Sequence, residues 1–167
     1  IEVGQSWLDQ FKSAILNYFG DVLGNRIYKK YAHAFPPGYR ESNQFRQVLF
    51  DIEKLEKVTE ESPLEMSVYH GDGLPQELIQ FKLFRINHTI PLSDVLPVLE
   101  NMGLHVIREE PYCIKVDDRV IWINDFTMNY LDGDYSQVKP VRDMFEQAFY
   151  RIWHGHAEND LFNRLVI

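Results

Sequence analysis

The sequence contains a single cysteine, Cys113, so no disulfide can form within the chain. No apolar run reaches the roughly 18 residues that a membrane-spanning helix needs, and residues 1–4 lack the basic and apolar segments of a signal peptide. Basic residues are also scarce, since 17 Lys and Arg against 25 Asp and Glu give a net charge of −8. These shortages disfavour a disulfide-stapled secreted domain, a membrane protein and a nucleic-acid or anionic-membrane partner, and they suit the reducing cytoplasm.

Motifs that carry chemistry are missing as well. The glycine-rich stretch 71–76 contains Pro75 and lies between two predicted strands, so it predicts a hairpin loop rather than a dinucleotide-binding turn. His154 and His156 have no cysteine pair nearby, and the glycine between them is typical of a helix C-terminus rather than a zinc site. No serine lies in a Gly-x-Ser-x-Gly elbow. The sequence therefore predicts no catalytic, cofactor-binding or metal-binding residue in this segment.

The first third of the chain has helical periodicity. Hydrophobic residues make up 45% of the chain, enough for a substantial core. They recur three and four residues apart over 6–34 and over 42–59, which predicts two helices. Gly20 and Gly24 weaken the first helix and can split it. The proline-rich stretch 36–38 ends that helix because proline removes a backbone donor.

After residue 63 the hydrophobic period becomes strand-like, with one helix between strands and another after them. The helix at 91–102 is predicted to be capped by Ser93 or Asp94, with Pro97 in its first turn and Gly103 just beyond its end. Strands are predicted at 64–69, 78–86, 105–117 (bent or divided at Pro111) and 119–130, followed by a helix at 136–153.

This order predicts an α+β fold: a ferredoxin-like antiparallel sheet with helices packed on one face, preceded by a helical extension. The expected domains are a two-helix extension at 1–62, the α+β domain at 63–153 and the start of a truncated helical segment at 154–167. The chain begins without Met and stops two turns after a helix start near Asn159, so both ends are expected to be cuts in a longer protein.

Several stretches together resemble the large bacterial NAD-specific glutamate dehydrogenases. The most specific is residues 91–104, PLSDVLPVLENMGL, followed by Val106-Ile107 and Pro111-Tyr112. Shorter matching stretches lie in the same order along the chain: YAHAFP at 31–36, FKLFR at 81–85, WINDF at 122–126, AEND at 157–160 and FNRLV at 162–166.

The resemblance implies a non-catalytic region upstream of the dehydrogenase domain, built from helical segments and ACT-like modules. ACT modules are ferredoxin-like plaits that often bind amino-acid effectors. The parent enzyme implied by the resemblance converts glutamate to 2-oxoglutarate and ammonia with NAD, whereas this segment holds no cofactor. The implied partners are other domains and subunits of the same enzyme.

Two roles remain open for the segment under this resemblance. One is a structural module that packs on neighbouring domains. The other is an effector-binding module, for which ACT domains use the loop between the first strand and the first helix. Here that loop lacks the glycine that ACT sites often have. Its candidate effector-binding residues are Asn87, His88, Thr89, Ser93 and Asp94.

Overall fold

The computed structural model of the protein describes residues 6–69, 74–75 and 78–130, together with positions 143, 146, 147 and 150. No helix in this part of the chain is long and apolar enough to cross a membrane. Four helices come first: α1 Trp7–Phe19, α2 Asp21–Tyr31, α3 Pro37–Ser42 and α4 Phe45–Lys57. The remaining elements are β1 Leu64–Tyr69, β2 Leu78–Ile86, α5 Leu92–Asn101, β3 Leu104–Val116 and β4 Arg119–Tyr130.

The helical region contains four helices rather than the two that periodicity predicts. Ser6 caps α1, its hydroxyl accepting a hydrogen bond from the amide of Asp9 at 3.2 Å. Gly20, with a φ of 84°, divides the first predicted helix because it adopts a conformation that side chains disfavour. The short helix α3 was missed; Pro37 begins it, since the fixed φ of proline suits a first helical position.

Gly24 does not interrupt α2 but lies buried against α1. A Cβ atom at this position would lie 3.0 Å from Cδ2 of Leu16, 3.1 Å from its Cα and 3.2 Å from the carbonyl oxygen of Ile15. Two of these three atoms are backbone, so a side chain here would push the helices apart. Glycine therefore permits the close approach of α1 and α2.

We expect Gly24→Ala to lower the free energy of unfolding by about 1 kcal/mol, because overpacking outweighs the gain in helix propensity. The matched control is Gly38→Ala in α3, where an added Cβ makes only an ordinary 3.7 Å contact with Tyr112. That change is expected to be neutral or slightly stabilising. Chemical denaturation of both variants measures the difference, and equal effects would contradict the close-approach explanation.

The four strands form one antiparallel sheet in the order β1-β2-β4-β3. The amide of Asn87 donates to the carbonyl of Val120 at 2.7 Å, which sets the register between β2 and β4. The rings of Phe81 and Phe126, 5.9 Å apart, agree with that register. In a ferredoxin-like plait the last strand closes the sheet beside the first; here β1 holds the edge position beside β2. The α+β, ACT-like architecture predicted from the sequence is confirmed.

Strand β3 is continuous through Pro111 and is neither divided nor replaced by two strands. It lies at an edge of the sheet. Proline is tolerated there because an edge strand leaves alternate amides without a ladder partner. The two-residue turn Asp117-Asp118 then leads into β4, with Asp117 at a φ of 56°.

The helix α5 differs from its prediction at its first turn. Pro91 is the N-cap and no side chain caps the helix, so the predicted capping by Ser93 or Asp94 is wrong. These two residues are instead the second and third of the helix. Pro97 lies past the first turn, inside the helix, and Gly103 follows its end at a φ of 81°, as predicted. Of the predicted helix 136–153, the described positions 143, 146, 147 and 150 are helical; its other residues and segment 154–167 lie outside the described residues.

The described chain divides into two compact units. The first, called here the helical unit, contains α1–α4 with residues 84–88 and 111–123. Its core joins side chains of the helices, such as Phe11 and Ile52, to strand residues such as Phe84, Ile114 and Ile123. The helices therefore share a core with strand ends.

The second unit, called here the sheet unit, contains residues 66–83, 89–110 and those from 124 onward that are described. Buried apolar side chains from its strands, from α5 and from the segment that leads into α5 form its interior. They are Val68, Ile79, Phe81, Leu83, Ile90, Val95, Leu99, Leu104, Phe126 and Met128.

Candidate functional site

The five predicted effector-binding residues are all exposed, but they divide between the two units. Asn87 and His88 follow β2 in the helical unit. Asn87 has a φ of 69°, and the amide of His88 donates to the carbonyl of Ile86 at 2.8 Å, so the chain turns sharply there. Asparagine tolerates this left-handed backbone better than most residues. The role of these residues in binding stays a prediction.

Thr89, Ser93 and Asp94 belong to the sheet unit. Ser93 and Asp94 lie in the first turn of α5, whose N-terminus has no side-chain cap. The backbone amides of such a turn attract an anion. The carboxylate of Asp94 is itself stabilised there by the positive end of the helix dipole. The turn therefore presents donors for a carboxylate beside an acceptor for an ammonium group.

A charged cluster in the helical unit was not found from the sequence. We call it the Glu56 cluster; its carboxylate on α4 lies 2.9 Å from Nζ of Lys30 and 3.3 Å from the guanidinium of Arg119. The hydroxyl of Tyr31 donates to Glu56 at 2.6 Å. Asp117 joins the cluster at 3.2 Å from Lys30 and 3.5 Å from Arg119. The cluster therefore links α2 and α4 to the turn between β3 and β4.

Arg119 also terminates the helix α4. Its guanidinium donates to the carbonyls of Leu55 and Val58, both at 2.8 Å. These carbonyls lie at the C-terminal end of the helix, where the regular series of intrahelical hydrogen bonds ends and where a positive charge is favourable. A residue 64 positions away in sequence thus supplies the cap. The sequence signal for this contact is weak, since only the tertiary fold brings β4 to the end of α4.

The cluster shifts two pKa values in opposite directions. Burial acts to raise the pKa of Glu56, but the hydrogen bonds from Tyr31 and Lys30 and the charges of Lys30 and Arg119 outweigh it, so the pKa lies below its ordinary value. Burial, reinforced by the hydrogen bond to Glu56, raises the pKa of Tyr31 well above 10.0. The folded state therefore favours ionised Glu56 beside a neutral tyrosine.

A depressed carboxyl pKa in the folded state stabilises that state above the pKa of the unfolded chain, and the stabilisation is lost as the pH falls. We therefore expect Glu56→Gln to destabilise the protein at pH 7, and the gap from the original protein to close as the pH falls below the ordinary glutamate value of about 4.3. Thermal unfolding of both proteins between pH 3 and 7 measures this gap. A gap that is constant with pH would show that ionised Glu56 contributes nothing.

The sheet unit holds a second set of polar contacts. Lys82 on β2 is completely buried, and its Nζ lies 5.3 Å from the ring centre of Tyr69 on β1. The register of β2 and β4 places Asp125 directly across from Lys82. The amide group of buried Asn124 donates to Glu109 at 2.8 Å. These contacts cross neighbouring strands and hold the sheet together, since buried polar groups need partners.

In the described part of the chain no three His, Cys, Asp or Glu side chains gather as metal ligands. The side chain of Cys113 is half-buried. The polar side chains of the Glu56 cluster connect helices to strands within the helical unit, and those of the sheet unit connect neighbouring strands. What the geometry supports best is a module built for packing, with one exposed helix N-terminus as a candidate ligand site.

The four-stranded sheet with its preceding helices defines an ACT-like module joined to a helical region. Comparison with protein families agrees with this class. Residues 63–140 match the model described as glutamate dehydrogenase, ACT3 domain, and residues 14–58 match that described as glutamate dehydrogenase, helical motif 2.

Relatives that match this chain from end to end narrow the protein class further. Proteins named NAD-specific glutamate dehydrogenase from Halomonas elongata and Pseudomonas aeruginosa are 36% and 34% identical over 100% of this chain. A protein of the same name from Mycobacterium tuberculosis is 26% identical over 99% of it. The chain belongs to this family of NAD-specific glutamate dehydrogenases, which confirms the resemblance. It spans only 10% of the length of these relatives.

Proposed function

We propose that this chain is a non-catalytic structural and regulatory segment of a cytoplasmic NAD-specific glutamate dehydrogenase. The complete enzyme would oxidatively deaminate L-glutamate to 2-oxoglutarate and ammonia with NAD, and the segment itself would bind no NAD. The observation that carries the proposal is the match of two separate stretches to modules of one enzyme family, an ACT domain and a helical motif. The partners would be other domains and subunits of that enzyme.

The contacts of the polar residues support a structural role. Glu56, Lys30 and Arg119 bind one another and the end of α4, so their donors and acceptors are used in holding the helical unit together. A catalytic group instead needs a position within hydrogen-bond reach of a substrate. We therefore expect the isolated chain to show no glutamate-dependent reduction of NAD, and measurable turnover would contradict the proposal.

The edge strand β3 supports docking onto neighbouring domains. It spans 13 residues at one side of the sheet, and the side chain of Ile107 is 55% exposed there. An exposed edge with an apolar side chain is a favourable place for another surface to pack. Its neighbours Arg108 and Glu110 pair with each other at 3.1 Å and give this edge a polar margin.

Docking through β3 is tested by the substitution Ile107→Lys in the full-length enzyme. We expect this variant to inactivate faster on heating or to sediment differently than the original enzyme, with kcat/KM unchanged at a temperature where the enzyme is intact. Ser13→Lys, on the exposed side of α1, is the matched control. An Ile107→Lys enzyme identical to the control in both measurements would rule out docking through β3.

A second candidate function is amino-acid effector binding at the N-terminus of α5. It is favoured by the combination of uncapped helix amides, which suit an α-carboxylate, with the exposed carboxylate of Asp94, which suits an α-ammonium group. Thr89 and Ser93 would add hydroxyl contacts, and Asn87 and His88 complete the predicted set. Calorimetric titration of the chain with a panel of amino acids tests this function. Heat that disappears in Asp94→Ala supports it, and silence across the panel rejects it for the chain alone.

A further inference from the structure

We propose that Tyr18, Val22, Leu23 and Phe50 form a docking surface on the helical unit for an amphipathic helix from another part of the same polypeptide. The proposal rests on the proposed function, because it requires the chain to be embedded in a longer enzyme. It names a surface and an occupant that the match to family modules does not give.

The four side chains are hydrophobic, yet a large part of each is exposed to solvent. Val22 is 82% exposed, and Tyr18, Leu23 and Phe50 are each exposed by 42–43%. In the described residues they make up four of the seven large hydrophobic side chains that are exposed, so the exposed apolar surface is concentrated on these helices. Such concentrations mark interaction sites more often than scattered apolar residues do.

Contacts between the helices place these side chains near one another. The hydroxyl of Tyr18, near the end of α1, donates to the carboxylate of Glu53 on α4. Phe50 lies three residues before Glu53, on the same side of α4. Val22 and Leu23 stand in the first turn of α2, directly after Gly20 closes α1. The end of α1, the start of α2 and the middle of α4 therefore each contribute to this surface.

The charges at the margin indicate what kind of partner fits. The guanidinium of Arg46 lies 5.8 Å from the ring centre of Phe50, while Glu53 and Asp21 supply negative charge nearby. A margin with charges of both signs does not repel a protein surface. It does not suit a phosphate backbone or an anionic membrane, which need a basic surface. Aromatic anchors with a polar margin are typical of protein interfaces, and the grooves between helices accept the ridges of another helix.

The length of the relatives indicates where that helix comes from. This chain spans 10% of each relative, so about nine-tenths of such a polypeptide lies outside it. A contact within one polypeptide benefits from a high effective concentration and needs less intrinsic affinity than a contact between separate molecules. A helix of the same polypeptide is therefore favoured over a separate protein.

The test compares hydroxyl-radical labelling of the isolated chain with that of the full-length polypeptide. Because labelling follows exposed area, a fall from 42% exposure to about a tenth would slow the labelling of Tyr18 roughly fourfold in the full-length protein, with a similar effect at Phe50. Val22→Asp should restore fast labelling in the full-length protein. It should leave the isolated chain folded, since an acidic residue in the first turn of α2 is favourable there.

Ser13→Asp, an exposed position on α1, is the matched control and should leave the protection unchanged. Equal labelling of Tyr18 and Phe50 in both proteins would overturn the proposal. Protection that grows with concentration in the isolated chain would assign the surface to a second copy and would also overturn it. Protection of Ile107 without protection of Tyr18 would preserve the docking role of the segment while rejecting this surface.

Discussion

Phe11→Ala is expected to lower the free energy of unfolding by about 3–5 kcal/mol. The Phe11 side chain is fully buried. Its ring stacks on Trp7 at 4.7 Å and meets Phe35 and Tyr28 edge-on at 6.0 Å. Truncation removes these contacts and leaves a cavity that stiff neighbouring rings cannot fill. Chemical denaturation, followed by tryptophan fluorescence and by circular dichroism, measures the loss.

Phe50→Ala is the matched control because it makes the same substitution at a side chain that is 43% exposed. It is expected to cost less than about 1 kcal/mol. Phe11→Leu keeps most of the buried volume and should cost about 1–2 kcal/mol. A loss for Phe11→Ala that is no greater than for Phe50→Ala would mean that the aromatic cluster around Phe11 contributes little to stability.

The sequence was most informative for elements in which one hydrophobic period determines which side chains are buried. Phe11 and Ile15 lie on the predicted apolar stripe of α1, and both are fully buried. Strands β1, β2 and β4 begin and end where alternation and turn residues place them. Local patterns suffice for these elements because one face of each meets a core and the other does not.

Prediction failed where tertiary contacts override local pattern. A regular strand alternation in β4 would bury one face, formed by Val120, Trp122, Asn124, Phe126 and Met128. The structure buries Ile121 and Ile123 in the helical unit and only then Asn124, Phe126 and Met128 in the sheet unit. The buried alternation shifts by one residue between 123 and 124, because the two halves of the strand belong to different cores. A single hydrophobic period cannot describe such a strand.

The functional candidates also divide into those that the sequence identified and those that only the structure revealed. The five candidate residues within 87–94 were identified from the resemblance; all five are exposed, and their role in binding stays a prediction. The Glu56 cluster was not identified, because its members Lys30, Glu56 and Arg119 are 26 and 63 residues apart and none lies in a motif. Contacts between charges distant in sequence leave no periodic signal, so only the fold reveals them.

Arg119→Ala is expected to lower the free energy of unfolding by about 2–4 kcal/mol, because one change removes charge-assisted bonds to two carbonyls and a carboxylate. The side chain is only 16% exposed, so water replaces these bonds incompletely. Arg119→Lys should recover part of the loss, since one ammonium group retains the charge but lacks the second nitrogen, Nη2, through which Arg119 reaches Glu56. Urea denaturation at pH 7 measures the three proteins.

Arg108→Ala is the matched control, because its side chain is 61% exposed and pairs with Glu110, two residues away on the same strand. That exposed pair should contribute less than about 1 kcal/mol. The loss at Arg119 should also depend on Glu56: in a double-mutant cycle, Arg119→Ala should cost less in the Glu56→Gln background, since the two side chains share one cluster. Strictly additive losses would mean that Arg119 acts only as the cap of α4, and that the carboxylate of Glu56 is held by Lys30 and Tyr31 alone.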